Sequence, residues 1–564
     1  MRSTKSLSPA AISSSNVAAG LQPVLTQEES HALSPVVPNS VIPNGVRGVR
    51  NLSWDFQRGK LLCLCFLLLL PRFLLAAKHP KYGGTLRIEL QTAKISLDPR
   101  EWKPGSISTA ENARLAALVY DRLLTLDDYG RFQPALATEW SHDAPLKAWQ
   151  FKLRPSVRFS DGALLTAKDV AAALQPLLRA GLQISSAENS VVIHSSHPVP
   201  DLLEQLASGH YFIYRSQPDG TLAGTGPFIL VENVPASPAE GNPSVLKPAR
   251  LKFRSNDDAW AGRPFVDSIE VVLGDPALRQ ILNLQIGRAD IIDIPPDLVR
   301  KARQDNLRVW SSPPCTLLAL RFDDAQSAAS DARLRQAVDL ALDRDTMANV
   351  LLQRQALPAT ALLPQWLSGY AFLLGTPMNL ERAKQIRSDL PANIAGGTDP
   401  LRLRVDAVGD LMKLLGERVA VNARQANISI QVVPHSTPST AGVNTPAPTV
   451  GLHLFTWRYD SLSPRAELLD FARYLHSESS SESLPDTSDP EKLYAEERRL
   501  LDGRQVLPLL LLPDYVGIAP GVRNWSVSPS GEWRLADVWL DSGEPSASTA
   551  ESPQSRNAAA GVYP

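Results

Sequence analysis

The chain has 564 residues, 44% hydrophobic and 20% charged, with a formal net charge of −1. That length holds about two to four domains with ample apolar mass for their cores, and a charge so near zero leaves no basic footprint for nucleic acid. Of its three cysteines, Cys63 and Cys65 lie in an apolar leader, so one processed chain has no disulfide framework, and Cys315, between Pro314 and Thr316, reads as a small buried residue rather than a nucleophile.

Residues 1–50 are rich in Ser, Pro, Asn and Val without period and read as disordered. Arg47, Arg50, Arg58 and Lys60 then precede LLCLCFLLLL and PRFLLAAKHP. A basic flank, a short apolar run and a small-residue exit make 51–77 a secretory signal, with cleavage expected at Ala76-Ala77. The unbroken run is short for a bilayer and Arg72 would sit within any longer span; an uncleaved anchor is the alternative. Neither leader cysteine resembles a lipoprotein site, because the apolar run continues past both. The length of chain ahead of the leader suggests a true start near Val46 or Leu52.

From Gly83 short β-rich runs alternate with amphipathic helices, the pattern of an α/β fold. TLRIEL begins a strand. Ala110 to Leu124 reads as a helix, with Ala113, Leu115, Ala116, Val119 and Leu123 on one side. Phe151, Leu153, Val157 and Phe159 alternate as in a half-buried strand, which Pro155 weakens. Asp161-Gly162 makes a turn, and Thr166 is placed to cap a helix from Ala167, with Asp169 in its first turn. VVIHSSHPVPDLLEQLA reads as strand, turn and helix. LRLRVDAV and ISIQVVP read as strands around a helix from Leu411 to Gln425. Asn393 to Pro400 and Pro434 to Thr449 are loops, and 542–564 is a disordered tail.

Catalytic chemistry has no visible residues: there is no G-x-S-x-G, H-E-x-x-H or P-loop. Gly224-Thr225-Gly226 is a turn, with no phosphate-type helix after it. His194 and His197 lack a Cys or acidic cluster and read as loop residues, so no metal or cofactor is expected. The pairs Asp127-Asp128 and Asp257-Asp258 do not face one another as a catalytic pair must.

FKLRPSVRFSDGALLTAKDV (Phe151 to Val170) closely resembles the signature of family 5 of the extracellular solute-binding proteins, the dipeptide-, oligopeptide- and nickel-binding components of ABC importers. Pro134-Ala135-Leu136-Ala137 with Trp140, Gly224-Thr225-Gly226-Pro227-Phe228, RSNDDAWAGRPFVDSIEVV (with Ala259 where a Tyr is usual), Gly287-Arg288-Ala289-Asp290 and RLRQAVDLALDR resemble the family's other segments in order. The resemblance covers roughly Gly83 to Leu540.

It implies a two-lobed periplasmic-binding fold of the large peptide-binding class that closes over its ligand. Mapped here, the first lobe takes 83–121, 208–314 and 509–541, an inserted domain 122–207, and the second lobe 315–508. Residues 163–223 form a shorter insertion than is usual in peptide binders, so that domain is trimmed. The implied protein is a periplasmic, monomeric, non-enzymatic receptor that hands a peptide or similar solute to ABC permease subunits. A ligand-sensing module of the same fold, or a binder of nickel chelate, opine or oligosaccharide, is the alternative. In WRYDSLSP, Trp457, Asp460 and Pro464 match the family's W-x-x-D-x-x-x-P, whose Asp pairs with a ligand α-ammonium group. Arg458 departs from the small or polar residue usual beside it. On the first lobe Trp102, after Leu97-Asp98-Pro99, and Tyr120 are candidates for stacking on ligand, and Thr225 borders the cleft.

Peptide mapping of the exported protein is expected to place the mature N-terminus between Ala76 and Gly83. Recovery of residues 1–60 on that protein would favour the anchor.

Overall fold

The computed structural model describes residues 79–541 apart from 103–106, 128, 180, 240–241, 324–325, 376–377, 392–399, 407–408, 434–448, 460, 476–488 and 529–530. Segments 1–50, 51–77 and 542–564, most of the loops expected at Asn393–Pro400 and Pro434–Thr449, Asp128 and Asp460 lie outside the described residues.

The chain opens with β1 (Thr85–Leu90) and α1 (Ile107–Ala116). The helix stops well short of Leu124 because the carbonyls that would extend it are taken elsewhere: Leu118 O accepts from Phe228 N at 2.8 Å and Val119 O from Gly226 N at 2.9 Å. Next come β2 (Ala137–His142) and β3 (Ala148–Leu153). Trp149, Phe151 and Leu153 alternate inward along β3, which ends before Pro155. Val157 and Phe159 are buried too, but beyond a turn in which Ser156 has φ 62°, so the expected single strand is split at the proline. The Asp161-Gly162 turn follows, with Ala163 N donating to Asp161 Oδ1 at 2.9 Å. α2 (Ala167–Leu174) carries the reciprocal cap: Thr166 Oγ1 accepts from Asp169 N, and Asp169 Oδ2 from Thr166 N. β4 (Leu182–Ala187), β5 (Ser190–Ser195) and α3 (Leu202–Ala207) complete this region, whose four-stranded sheet runs β2-β3-β5-β4.

β6 (Phe228–Val234), β7 (Ala249–Ser255), β8 (Ser268–Leu273), α4 (Ala277–Gln285), β9 (Ile291–Asp293) and β10 (Arg308–Phe322) come next. They are followed by α5 (Ala332–Ala341), β11 (Leu401–Val405), α6 (Asp410–Gln425), β12 (Ile430–Val433), β13 (Leu452–Arg458), α7 (Pro464–Leu475), α8 (Pro490–Asp502) and β14 (Val506–Ile518). Among the described residues these strands form an eleven-stranded sheet, ordered β6-β7-β8-β1-β9-β14-β10-β13-β11-β12, with Leu357–Pro358 paired to β14 off that path.

The two longest strands, β10 and β14, are antiparallel neighbours that cross from one half of the sheet to the other. Their ladder holds from Arg308↔Ile518 to Ser311↔Tyr515, breaks around Pro314, and resumes from Thr316↔Leu512 to Arg321↔Val506 with one further register shift between Leu318 and Ala319. Pro313, Pro314 and, opposite, Pro513 have no N–H for the ladder, which is the physical cause of the break. Separate cores lie on either side. The first joins β1, β7, β8 and the small sheet. In the second half Leu318 and Leu320 pack under α5 and α6, whereas Leu317 and Ala319 pack under α7 and α8. Alternation with both faces covered explains why CTLLALRF is apolar almost throughout.

The G-T-G turn owes its glycines to close approach: a Cβ on Gly224 would fall 1.9 Å from Val119 O, and one on Gly226 2.6 Å from Val119 C. Gly224→Ala is expected to destabilise the protein by about 3 kcal/mol or more in urea unfolding. Gly375→Ala, whose added Cβ meets nothing within 4 Å, should stay within about 0.5 kcal/mol of the parent.

Candidate functional site

Where the crossing ladder breaks, the strands expose backbone and side-chain positions to both halves of the sheet at once. Asp514 occupies one of them, its N–H donating to Ser312 Oγ at 2.8 Å. Its carboxylate receives Arg458 Nη1 at 2.5 Å from the end of β13 and Arg114 Nη2 from α1. Arg114 and Arg458 are both buried. Arg114 also lies 4.0 Å from Asp293 at the end of β9, and its guanidinium sits 4.9 Å above the Trp533 ring. One turn earlier on α1, Glu111 joins the group with a hydrogen bond to Thr92. Two cations and three carboxyls therefore meet at the crossing, drawn from both halves of the molecule.

Their titration follows from the geometry. Burial alone would raise the Asp514 carboxyl, but the charges of Arg458 and Arg114 hold it well below the usual carboxylate range. Burial works against the Arg458 charge, and Asp514 more than restores it. Asp293 is pushed up to about 7 by burial, against the pull of Arg114 and with the push of Glu111 and Asp514. Burial raises Glu111 too. It also pushes the Cys315 thiol up, which keeps that sulfur a neutral neighbour, 3.3 Å from Ser312 Oγ.

Trp102 and Tyr120 come together around Phe212, with ring centroids at 6.0 and 6.2 Å from it. Both are buried, and Trp102 Nε1 donates to Ser96 O at 3.1 Å. Thr225 is buried behind them, its hydroxyl donating to Asp121 Oδ2 at 2.8 Å beside the Trp260 indole at 2.7 Å. Trp457 belongs to the second half: its ring packs 4.3 Å from Phe471 and its Nε1 donates to Glu467 Oε2 at 3.0 Å. Asp460 lies outside the described residues; on either side of it, Tyr459 OH donates to Leu362 O and Ser461 N to Glu467 Oε1 at 2.8 Å. Arg458 does not stand free beside it but is committed to Asp514.

Sequence reasoning passed over Arg114, Asp293, Asp514 and Trp366. The Trp366 indole, 41% exposed, donates to Pro314 O at 2.7 Å and so stands against the crossing. A signal was present for Asp514, a charge interrupting the apolar run VLPLLLLPDYVGI. Arg114 and Asp293 carried none, since their meeting depends on the fold. Among the described residues no group of three or more His, Cys, Asp and Glu could hold a metal ion, and His194 and His197 are exposed. No described helix is long and apolar enough to cross a membrane.

Residues 131–473 match the family model described as bacterial extracellular solute-binding proteins, family 5 Middle. The nickel-binding protein NikA of Staphylococcus aureus is 25% identical over 369 residues, 62% of this chain and 70% of that protein. A probable di/tripeptide-binding protein 5 of Pseudomonas aeruginosa is 25% identical over 343 residues, 54% of this chain and 64% of that protein. The aligned stretches thus span about two thirds of these relatives. Among solved structures, the periplasmic binding protein DppA of Helicobacter pylori, in complex with peptide STSA, superposes with a TM-score of 0.67 at 16% identity, over 82% of this chain and 98% of that one. This likeness carries the two-lobed periplasmic-binding fold expected from the sequence.

The raised Asp293 carboxyl yields a sign-determined test. With a folded value of about 7 against an ordinary one near 4, the folded protein holds the proton more tightly. The stability from that proton is complete at acid pH and is lost as pH rises through 7. Asp293→Asn cannot titrate, so its stability relative to the parent is expected to rise by about 1–3 kcal/mol between pH 5 and 8 in urea unfolding. A constant difference across that range would refute the assignment.

Proposed function

The chain belongs to family 5 of the bacterial extracellular solute-binding proteins, and from that premise we propose that it captures a peptide or similar amine-bearing solute between its lobes and delivers it to the permease of an ABC importer. The observation that carries this reading is the convergence of Arg114 and Arg458, from opposite halves of the molecule, on Asp514 at the crossing strands. A crossing with charged groups on both sides is where a change of lobe angle and the occupancy of a cleft are coupled most directly.

We assign ligand recognition to Asp460, whose carboxylate takes the α-ammonium group, with Trp102, Tyr120 and Thr225 of the first half and Trp457 of the second as the buried side chains behind the two proposed walls of the cleft. Trp366 adds an exposed aromatic surface on the second lobe. Because Asp514 neutralises Arg458, the residue two before Asp460 does not compete for the role of cation at that wall. This favours a ligand amine at Asp460 over a ligand anion at Arg458. The proposed lobes are 83–121 with 208–314 and 509–541, and 315–508, with 122–207 inserted. The ladder break at Pro313-Pro314 and the enclosure of the small sheet within 137–195 support that division.

In this reading the protein is an exported monomer, delivered outside the cytoplasm by its leader as family members are, and performs no catalysis. A nickel chelate is the second ligand class, favoured by the 25% identity to a nickel-binding protein; such a ligand brings its own donor atoms and needs no protein metal cluster. Native mass spectrometry of material copurifying with the protein separates the two, since a peptide and a metal chelate differ in mass and isotope pattern.

For the peptide reading, Asp460→Asn keeps the shape and deletes the charge. Losing one side of a desolvated charge pair costs about 2–5 kcal/mol, or roughly a 30- to 5,000-fold loss of affinity for a free peptide by calorimetry. The same peptide with an acetylated N-terminus is expected to bind the parent poorly and to lose little more in the variant. Equal losses for both peptides would show that Asp460 does not read the amine.

A further inference from the structure

Far along the chain from the crossing strands, a second set of charges joins the two halves of the molecule. Asp201 stands at the N-cap of α3, a position where Asp normally accepts hydrogen bonds from first-turn amides. Here its side chain makes no such bond. Instead the carboxylate accepts from Arg465 Nη1 at 3.3 Å, from Ser463 Oγ at 3.4 Å and from Arg179 Nη1 at 3.5 Å. Arg179 Nη2 in turn lies 3.9 Å from Asp470.

Arg465 and Asp470 lie on α7 and Ser463 just before it; the helix is anchored in the second half through Leu468 and Phe471. Arg179 follows α2 and Asp201 precedes α3, and Val170 on α2 with Leu202 and Leu206 on α3 belongs to the core of the first half. The Asp201 side chain is 4% exposed, and those of Arg179, Arg465 and Asp470 are 14, 14 and 19% exposed. Two cations and two anions are thus largely shielded from water where the halves meet. Moving α7 away from α3 would break the Arg465 and Ser463 contacts to Asp201 and free its carboxylate to cap its own helix.

We propose that Asp201 is a closed-state clasp, its carboxylate binding Arg465, Ser463 and Arg179 when the lobes are shut and the first-turn amides of α3 when they part. The helix cap then offsets part of the loss on opening, so one side chain has a satisfied position in each state, the requirement for a two-state element. This inference rests on the two-lobed fold and not on the identity of the ligand, so a failed ligand assignment leaves it untouched. Closure would be favoured before any solute arrives, and a ligand would add to a bias already present.

The test is a distance distribution from double electron–electron resonance on the ligand-stripped full chain in a Cys63→Ser, Cys65→Ser, Cys315→Ser background. Nitroxides are placed at exposed Leu278, on α4 in the first half, and at Glu381, on a helix of the second. Asp201→Asn is the informative variant, because Asn caps a helix as well as Asp while losing the charge. The closed-to-open ratio is expected to fall about 5- to 30-fold, the equivalent of one to two kcal/mol. Arg465→Gln is expected to do the same, and the double variant little more. Distance distributions unchanged in Asp201→Asn would overturn the clasp even if its melting temperature fell, as would independent, additive effects of the two substitutions.

Discussion

The antiparallel pairing of β10 with β14 is the constraint on which the molecule depends. Together these strands run through both halves of the sheet, so any relative movement of the halves must be absorbed along them. A regular ladder would resist that. Each lost backbone bond inside an unbroken sheet exposes a donor and an acceptor. Prolines placed opposite one another remove the donors in advance, so the pair bends where there is least to break. The register breaks at Ser311/Pro314 and Pro314/Thr316 locate that point. The cores on either side share few residues across it, which leaves each free to stay rigid.

A bend without further restraint would be a loose joint. Asp514 supplies the restraint because it sits in the break and accepts from a guanidinium on each side. Charges this buried are stabilised only while they are paired, so the carboxylate, held ionised, ties α1 and β13 to the crossing strand. The neighbouring carboxyls are arranged differently. Asp293 and Glu111 are raised by burial, so the group as a whole avoids a surplus of negative charge. Its composition therefore follows from dielectric: the acid with two cations ionises, and those with weaker cation contacts resist ionising.

Local chemistry was legible in the sequence where one segment suffices to determine it. The Thr166/Asp169 capping box, the alternation along β3 up to Pro155 and the strand–helix–strand run from Leu401 to Val433 all depend on neighbours within a few residues. The end of α1 was not, since it is set by Gly226 and Phe228 competing for the Leu118 and Val119 carbonyls. The charged group at the crossing was illegible for the same reason: Arg114, Asp293, Arg458 and Asp514 come from separate segments, with Arg458 56 and Arg114 400 positions from Asp514. Arg458 could be singled out as unusual, but its partner could not. Aromatic residues are the least decipherable, because Trp102, Tyr120 and Trp457 satisfy a core and a ligand site equally well on composition alone.

Trp457 shows how a buried aromatic divides the two cores of the second half. Along β13, Leu452 and Leu454 enter one core, while Phe455 and Trp457 enter the other. The indole is fixed at its far edge by Glu467, whose other carboxylate oxygen takes the Ser461 amide. One glutamate on α7 thus holds the chain at 457 and again at 461, while Tyr459 is fixed by Leu362 O. Residues held in this way lose their conformational entropy on folding. The same helix carries Arg465 and Asp470 on to α3. Glu467 and Arg465 therefore link the Trp457 indole and the Ser461 amide to the contact between the halves, so that any movement of α7 alters both together.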